Sequence, residues 1–114
     1  MMVWCGWLDG GGGENALTRY QNFSNPQVVV IGPPSHGGGF NVDPFGSKHT
    51  PPVPSTEDQF KMEADFFDRL LRNDTTEPVE SSIQYYTMGA EQWRTTKDMA
   101  TGRVVPGEPV LRGK

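Results

Sequence analysis

Apolar residues in this chain gather in short runs, separated by stretches rich in glycine and proline. Met2-Val3-Trp4-Cys5 is one continuous run, and the segment 27–31 ends in a second, Val28-Val29-Val30-Ile31. Continuous rather than alternating apolar character predicts strands of a parallel sheet covered on both faces. Between the two runs, Ala16, Leu17, Tyr20 and Phe23 fall on one face of a helix. The spacing predicts a helix over 14–23, stopped by Asn25-Pro26. Strand, helix, strand within about thirty residues is a βαβ unit, so the fold class expected is α/β.

The strongest helical pattern covers 57–72. Phe60, Ala64, Phe67 and Leu71 form one stripe, with Met62, Phe66 and Leu70 beside it, and the stripe reads as core packing. Thr56, with Gln59 three residues on, has the capping-box pattern. The intervening 32–55 holds six prolines and repeated glycine turns. A loop of that length is a functional lid or a disordered segment. Residues 73–78 read as a linker. In 82–88, Ile83, Tyr85 and Thr87 alternate with Gln84, Tyr86 and Met88, the period of a strand. Residues 89–93 read as a turn with an aromatic anchor, and from Thr95 onward the polar, Pro/Gly-punctuated sequence reads as a poorly ordered tail.

Composition narrows the picture. Hydrophobic residues make up 34% of 114, against 14 Gly and 10 Pro, which is a thin core for one small domain. The net charge of −4 and the absence of a basic cluster argue against nucleic acid as a partner. No apolar run reaches the length of a membrane span, and the first residues lack the layout of a signal peptide. The one cysteine, Cys5, excludes an internal disulfide and reads as a buried structural thiol. Two histidines, one cysteine and scattered acids match no standard zinc spacing. Compartment and oligomeric state leave no mark. Met1-Met2 opens directly inside a strand, which points to a fragment of a longer protein.

The chemistry concentrates at the two strand ends. Asp9 closes Gly6-Trp7-Leu8-Asp9-Gly10, and His36 lies in Gly32-Pro33-Pro34-Ser35-His36-Gly37. In open α/β sheets, sites form at the carboxyl ends of strands. An imidazole there is a suitable general base, and an acid on its second nitrogen fixes the tautomer. Acid then histidine is also how an α/β-hydrolase triad ends in chain order. The expected nucleophile is missing, since no Gly-x-Ser-x-Gly occurs. Ser35 does not replace it, because its neighbours make no elbow.

Plainer readings stand beside this one. An Asp before four glycines serves as a turn or N-cap residue, and a His after Pro-Pro-Ser as a surface loop residue. His49 reads as an exposed loop residue. Gly11-Gly12-Gly13-Glu14-Asn15-Ala16 fits the G-x-G-x-x-A dinucleotide fingerprint, but the next strand ends at Ile31-Gly32-Pro33 without the acid that fingerprint wants.

Taken in order, Gly6 to Gly10, Gly32 to Gly37, Phe66-Phe67-Asp68-Arg69-Leu70-Leu71, and Tyr85-Tyr86-Thr87-Met88-Gly89 through Trp93-Arg94 resemble the Xaa-Pro dipeptidyl-peptidase and cocaine-esterase family of serine hydrolases. The resemblance covers about residues 3–96. That family combines an α/β-hydrolase domain, a helical cap and a C-terminal β jelly roll. The resemblance implies that 1–74 is the end of the hydrolase domain, its last βαβ unit and final helix. It implies that 75–114 is a linker and the start of the jelly roll, with its first strand. Asp9 then matches the triad acid and His36 the triad base. Trp7 and Pro34 match neighbouring positions, although the family more often has an aromatic where Pro34 stands. The serine, the oxyanion hole and the cap would lie upstream. The implied parent cleaves ester or amide bonds in a small-molecule or peptide substrate, without metal or organic cofactor, and the 114 residues alone are expected to be inactive. Two rivals remain: a non-catalytic interaction module or remnant, and a nucleotide-binding βαβ unit.

Overall fold

A computed structural model describes residues 1–46, 50–72 and 78–98. In chain order the elements are β1 (Met2–Gly6), α1 (Gly12–Asn22), β2 (Val28–Gly32), α2 (Thr56–Leu71), β3 (Ser82–Thr87) and β4 (Gln92–Thr96). The four strands form one sheet in the order β1-β2-β3-β4. The first three run parallel, and β4 returns antiparallel to β3. The mixed α/β class read from the sequence is the observed one.

Register explains how so small a core holds together. Cys5, Ile31 and Tyr85 stand side by side across three strands, and Val3, Val29 and Ile83 make the next row. Residues two apart share a sheet face, so both rows present one face, and α1 covers it with buried Ala16 and partly buried Leu17 and Tyr20. Val29, Ile31 and Ile83 are fully buried, each contributing roughly 1.5–3 kcal/mol of hydrophobic stabilisation.

β3 joins this sheet, pairing with β2 over Val28↔Ser82 to Ile31↔Tyr85, and its buried Ile83 and Tyr85 extend rows that β1 and β2 began. Two sequence expectations need correction. Residues 89–93 are not all turn, and order continues past Thr95, because Gln92–Thr96 is a strand. Its polar sequence hides it, since an edge strand needs little apolar pattern. The stripe on α2 is not core. Buried Gln59 and Phe66 sit on the covered side of this helix, whereas Phe60, Phe67 and Leu71 are exposed. Phe23, counted in the α1 stripe, is likewise exposed at that helix's C-cap.

Boundaries shift modestly. α1 starts at Gly12, earlier than the pattern suggested, because Gly11 takes the left-handed φ of 87° that turns the chain into the helix. The cap of α2 is Ser55, not Thr56: its hydroxyl oxygen accepts from the Asp58 N–H at 3.2 Å and its O–H donates to the Asp58 carboxylate at 2.9 Å. The linker expected at 73–78 lies outside the described residues except for Pro78, as do His49 and the tail beyond Asp98.

Candidate active site

β1 and β2 end level with each other, at Gly6↔Gly32. Each then turns sharply, and the two turns carry Asp9 and His36. The first is tied to the second strand by the Trp7 N–H donating to the Gly32 carbonyl at 2.9 Å. The Asp9 N–H reaches back to the Gly6 carbonyl at 3.3 Å, and the Gly12 N–H reaches the Asp9 carbonyl at 2.7 Å. Asp9 is thereby held between the end of β1 and the start of α1.

Both strand-end glycines are required by space. A Cβ on Gly6 would lie 2.2 Å from the Pro34 carbonyl oxygen, and one on Gly32 would lie 2.7 Å from the Trp93 ring. The two turns therefore pack backbone to backbone. Trp93 sits beneath them, its indole N–H donating to the Val53 carbonyl at 3.1 Å. It packs edge-on against Tyr86 at 5.5 Å between ring centroids. Trp7 completes this floor, donating its indole N–H to the Tyr86 carbonyl at 2.8 Å. The aromatic anchor read from the sequence thus supports the histidine turn.

His36 Nδ1 lies 2.8 Å from Asp9 Oδ1. A carboxylate can only accept, so the proton of this bond sits on Nδ1. The Nε2 lone pair is then the basic one. The imidazole side chain is 90% exposed, whereas Asp9 is 26% exposed, so the acid is sheltered and the ring faces outward. The loop beyond His36 doubles back: the Ser35 N–H donates to the Phe40 carbonyl at 2.7 Å, and the Val42 N–H to the Pro33 carbonyl at 2.9 Å. Gly37 and Gly38 take positive φ values of 89° and 73° in that return. Gly38 also packs against the buried Gln59 of α2. A cleft of about 230 Å³ opens beside Asp9, lined by Trp4, Gly6, Ser35, Gln59 and Phe60 among others.

Cys5 lies one row below, buried, with its thiol 3.8 Å from the Val30 carbonyl. Burial, reinforced by the negative charge of Asp9, pushes the thiol pKa up to about 11. At neutral pH it stays protonated and is no nucleophile. Among the described residues no group of three His, Cys, Asp or Glu side chains could hold a metal ion. Sequence reasoning missed Trp93, Gln59 and the Gly6–Pro34 approach as parts of the site's frame. The resemblance motif ending at Trp93-Arg94 was the available signal for the first.

Over 92 residues the chain is 29% identical to a candidate serine esterase of Mycobacterium bovis (strain ATCC BAA-935 / AF2122/97) and, equally, to one of Mycobacterium tuberculosis (strain CDC 1551 / Oshkosh). The match takes in 79% of this chain but 14% of either relative. It supports a serine esterase-like relationship. No family model and no solved structure matches the chain.

Proposed function

We propose that this chain supplies the acid and the base of a serine hydrolase that cleaves ester or amide bonds, with the nucleophilic serine contributed by a part of a longer protein. The observation that carries this reading is the 2.8 Å contact of His36 Nδ1 with Asp9 Oδ1, made between the ends of adjacent parallel strands with the ring exposed. In the proposed reaction, Nε2 of His36 takes the serine hydroxyl proton as its oxygen attacks the carbonyl carbon. Asp9 stabilises the imidazolium that results. The same proton is then given to the leaving alcohol or amine, and water repeats the cycle on the acyl-enzyme. The esterase names of the mycobacterial relatives favour an ester over an amide as substrate. The finer assignment to the Xaa-Pro dipeptidyl-peptidase and cocaine-esterase family is part of the same proposal, as is the division of the chain near residue 74.

The test is to read the native gene upstream of Met1 and express the longest continuous frame. A Gly-x-Ser-x-Gly upstream, labelling of its serine by a fluorophosphonate, and loss of labelling in His36→Ala are the expected results. A stop codon before Met1 with no nucleophile would overturn the proposal. Hydrolysis by the 114 residues alone, inhibited by a serine-directed reagent, would overturn the assignment of the nucleophile to another segment. The exposed Phe60, Phe67 and Leu71 on α2 favour one second reading, a non-catalytic module that works by association.

A further inference from the structure

The loop that carries His36 is fastened at its far side by an arrangement of acids that the proposed chemistry does not use. Asp43 is only 8% exposed. Its Oδ1 accepts the Phe45 N–H at 2.8 Å. Its Oδ2 is fully buried and meets no N–H or O–H donor among the described residues. The Glu91 carboxylate, in the turn between β3 and β4, lies within interaction range of the Asp43 carboxylate. Glu91 is in turn the acceptor for the Tyr86 hydroxyl. Glu91 also adopts a left-handed φ of 53°, a conformation uncommon in a non-glycine residue.

We infer that Asp43 and Glu91 share one proton, carried on Asp43 Oδ2 and donated to the Glu91 carboxylate, and that this pair positions His36 by clasping its loop to the β3–β4 turn. Two ionised carboxylates in contact repel, and a buried acceptor without a donor is destabilising. One proton removes both problems: Oδ2 becomes a donor, and the contact becomes a charge-assisted O–H···O⁻ bond. The bonds Val42 N–H to Pro33 and Ser35 N–H to Phe40 close residues 33–43 into one unit. A displacement of Asp43 is thus passed to His36.

The surroundings agree with one shared proton. Burial chiefly, and then the Glu91 carboxylate, push the Asp43 carboxyl up, against the opposing Phe45 N–H. The Tyr86 hydroxyl first, and then Asp43, hold Glu91 down. The groups facing the pair are the Phe45 N–H from its own loop, Tyr86 from β3 and the Gly89 N–H from the turn. Arg94 pairs in register with Tyr85, which sets it on the opposite sheet face from Tyr86. The signs give a window. The raised Asp43 contributes stability that is lost as pH rises through its folded value, and the lowered Glu91 contributes stability that is lost as pH falls through its own. The clasp is firm between the two.

The test uses the 114-residue chain with carbon-13 carboxyl labels. Asp43 and Glu91 should titrate in two separate steps, Asp43 at the higher pH. Asp43→Asn places a permanent N–H donor opposite Glu91, so the thermal midpoint should lose its fall on the alkaline side. Asp43→Ala should speed solvent exchange of the His36 Nδ1 proton by about tenfold through loop opening, and Asp43→Asn should not. If Asp43→Ala does not fold, Glu91→Gln serves: the Gln amide donates to ionised Asp43, and the stability loss moves to the acid side. Titration of both carboxyls together in the ordinary range would overturn the inference. So would carboxyl shifts on adding Ca²⁺ or Mg²⁺, which would mean a cation rather than a proton fills the gap. The bearing on catalysis rests on His36 being the base. The two failures are distinguishable, because a missing nucleophile upstream would leave the two-step titration standing, and a one-step titration would leave the Asp9–His36 contact standing.

Discussion

Asp9 and Cys5 sit a few residues apart on the same strand end and meet opposite fates because of burial. Asp9 reaches the rim, finds an N–H donor on His36 and fixes its tautomer. Replacing Asp9 with Ala removes that acceptor, so the His36 ring should revert toward the Nε2–H form common for a free imidazole. Nitrogen-15 shifts of the ring would read the change, and an unaltered tautomer in Asp9→Ala would mean the contact has no grip on the ring. Cys5 stays inside, and its thiol pKa is raised to about 11. Its protonated form contributes stability that is lost only as pH rises through that value. At pH 8 the native thiol should therefore react with a disulfide reagent at least tenfold more slowly than in denaturant. Equal rates would place it at the surface. Asp9 and His36 stood out in the sequence because each lies in a glycine-bounded turn a few residues after an apolar run. Asp43 and Glu91 did not, because each is a lone acid in a polar stretch and their meeting depends on how two distant turns fold together.

At the level of elements, the parts that announce themselves are those whose pattern is set by one buried face. β1, β2, α1 and β3 were legible for that reason. What escaped is what tertiary contact decides. β4 carries Gln92-Trp93-Arg94-Thr95-Thr96, with one large apolar side chain, and becomes a strand because β3 offers it a free edge. α2 was located correctly, but which of its faces is covered depends on the returning loop, where Gln59 donates to the Pro54 carbonyl at 3.0 Å. Its cap is a local choice between adjacent hydroxyls that only geometry resolves. Ser55→Ala should cost about 1 kcal/mol and Thr56→Ala markedly less, measured by urea denaturation, and the reverse order would return the cap to Thr56. The strand ends give a harder test. In Gly6→Ala the new methyl meets a backbone oxygen at 2.2 Å that cannot swing aside, whereas in Gly32→Ala it meets a side chain. Overpacking of this kind costs about 1–3 kcal/mol. Gly6→Ala should fall at the upper end, and Trp93→Leu should partly rescue Gly32→Ala but not Gly6→Ala. Rescue of both would mean the two turns are not in direct backbone contact.

Among the described residues, several large apolar side chains stay uncovered. α1 seals one face of the sheet, but on the other the helix α2 stands off, and a cavity of about 680 Å³ lies between it and the strands, lined by Met2, Val28, Met62 and Phe66 among others. On its outer side Phe67 is 54% and Leu71 79% exposed, in line with exposed Ala64 and with Phe60, which is 66% exposed at the edge of the cleft beside Asp9. The spacing that made this stripe look like core is real, since residues three and four apart share a helix face. What the spacing cannot say is which body covers that face, and within these 114 residues nothing described does. A contiguous exposed apolar stripe of this kind marks an interaction surface or an aggregation liability. The isolated chain should therefore associate with increasing concentration in sedimentation velocity. The double substitution Phe67→Lys and Leu71→Lys should return it to a monomer at little cost in stability, because neither side chain is buried. A chain that stays monomeric at high concentration without substitution would mean the stripe is too narrow to drive association. A double variant that unfolds would mean these residues are core after all. Dispersal by the lysines without loss of the Asp9–His36 contact would separate the two halves of the molecule physically. The strand ends would then be an acid–base unit independent of α2, and the outer face of α2 a surface that the described residues leave open.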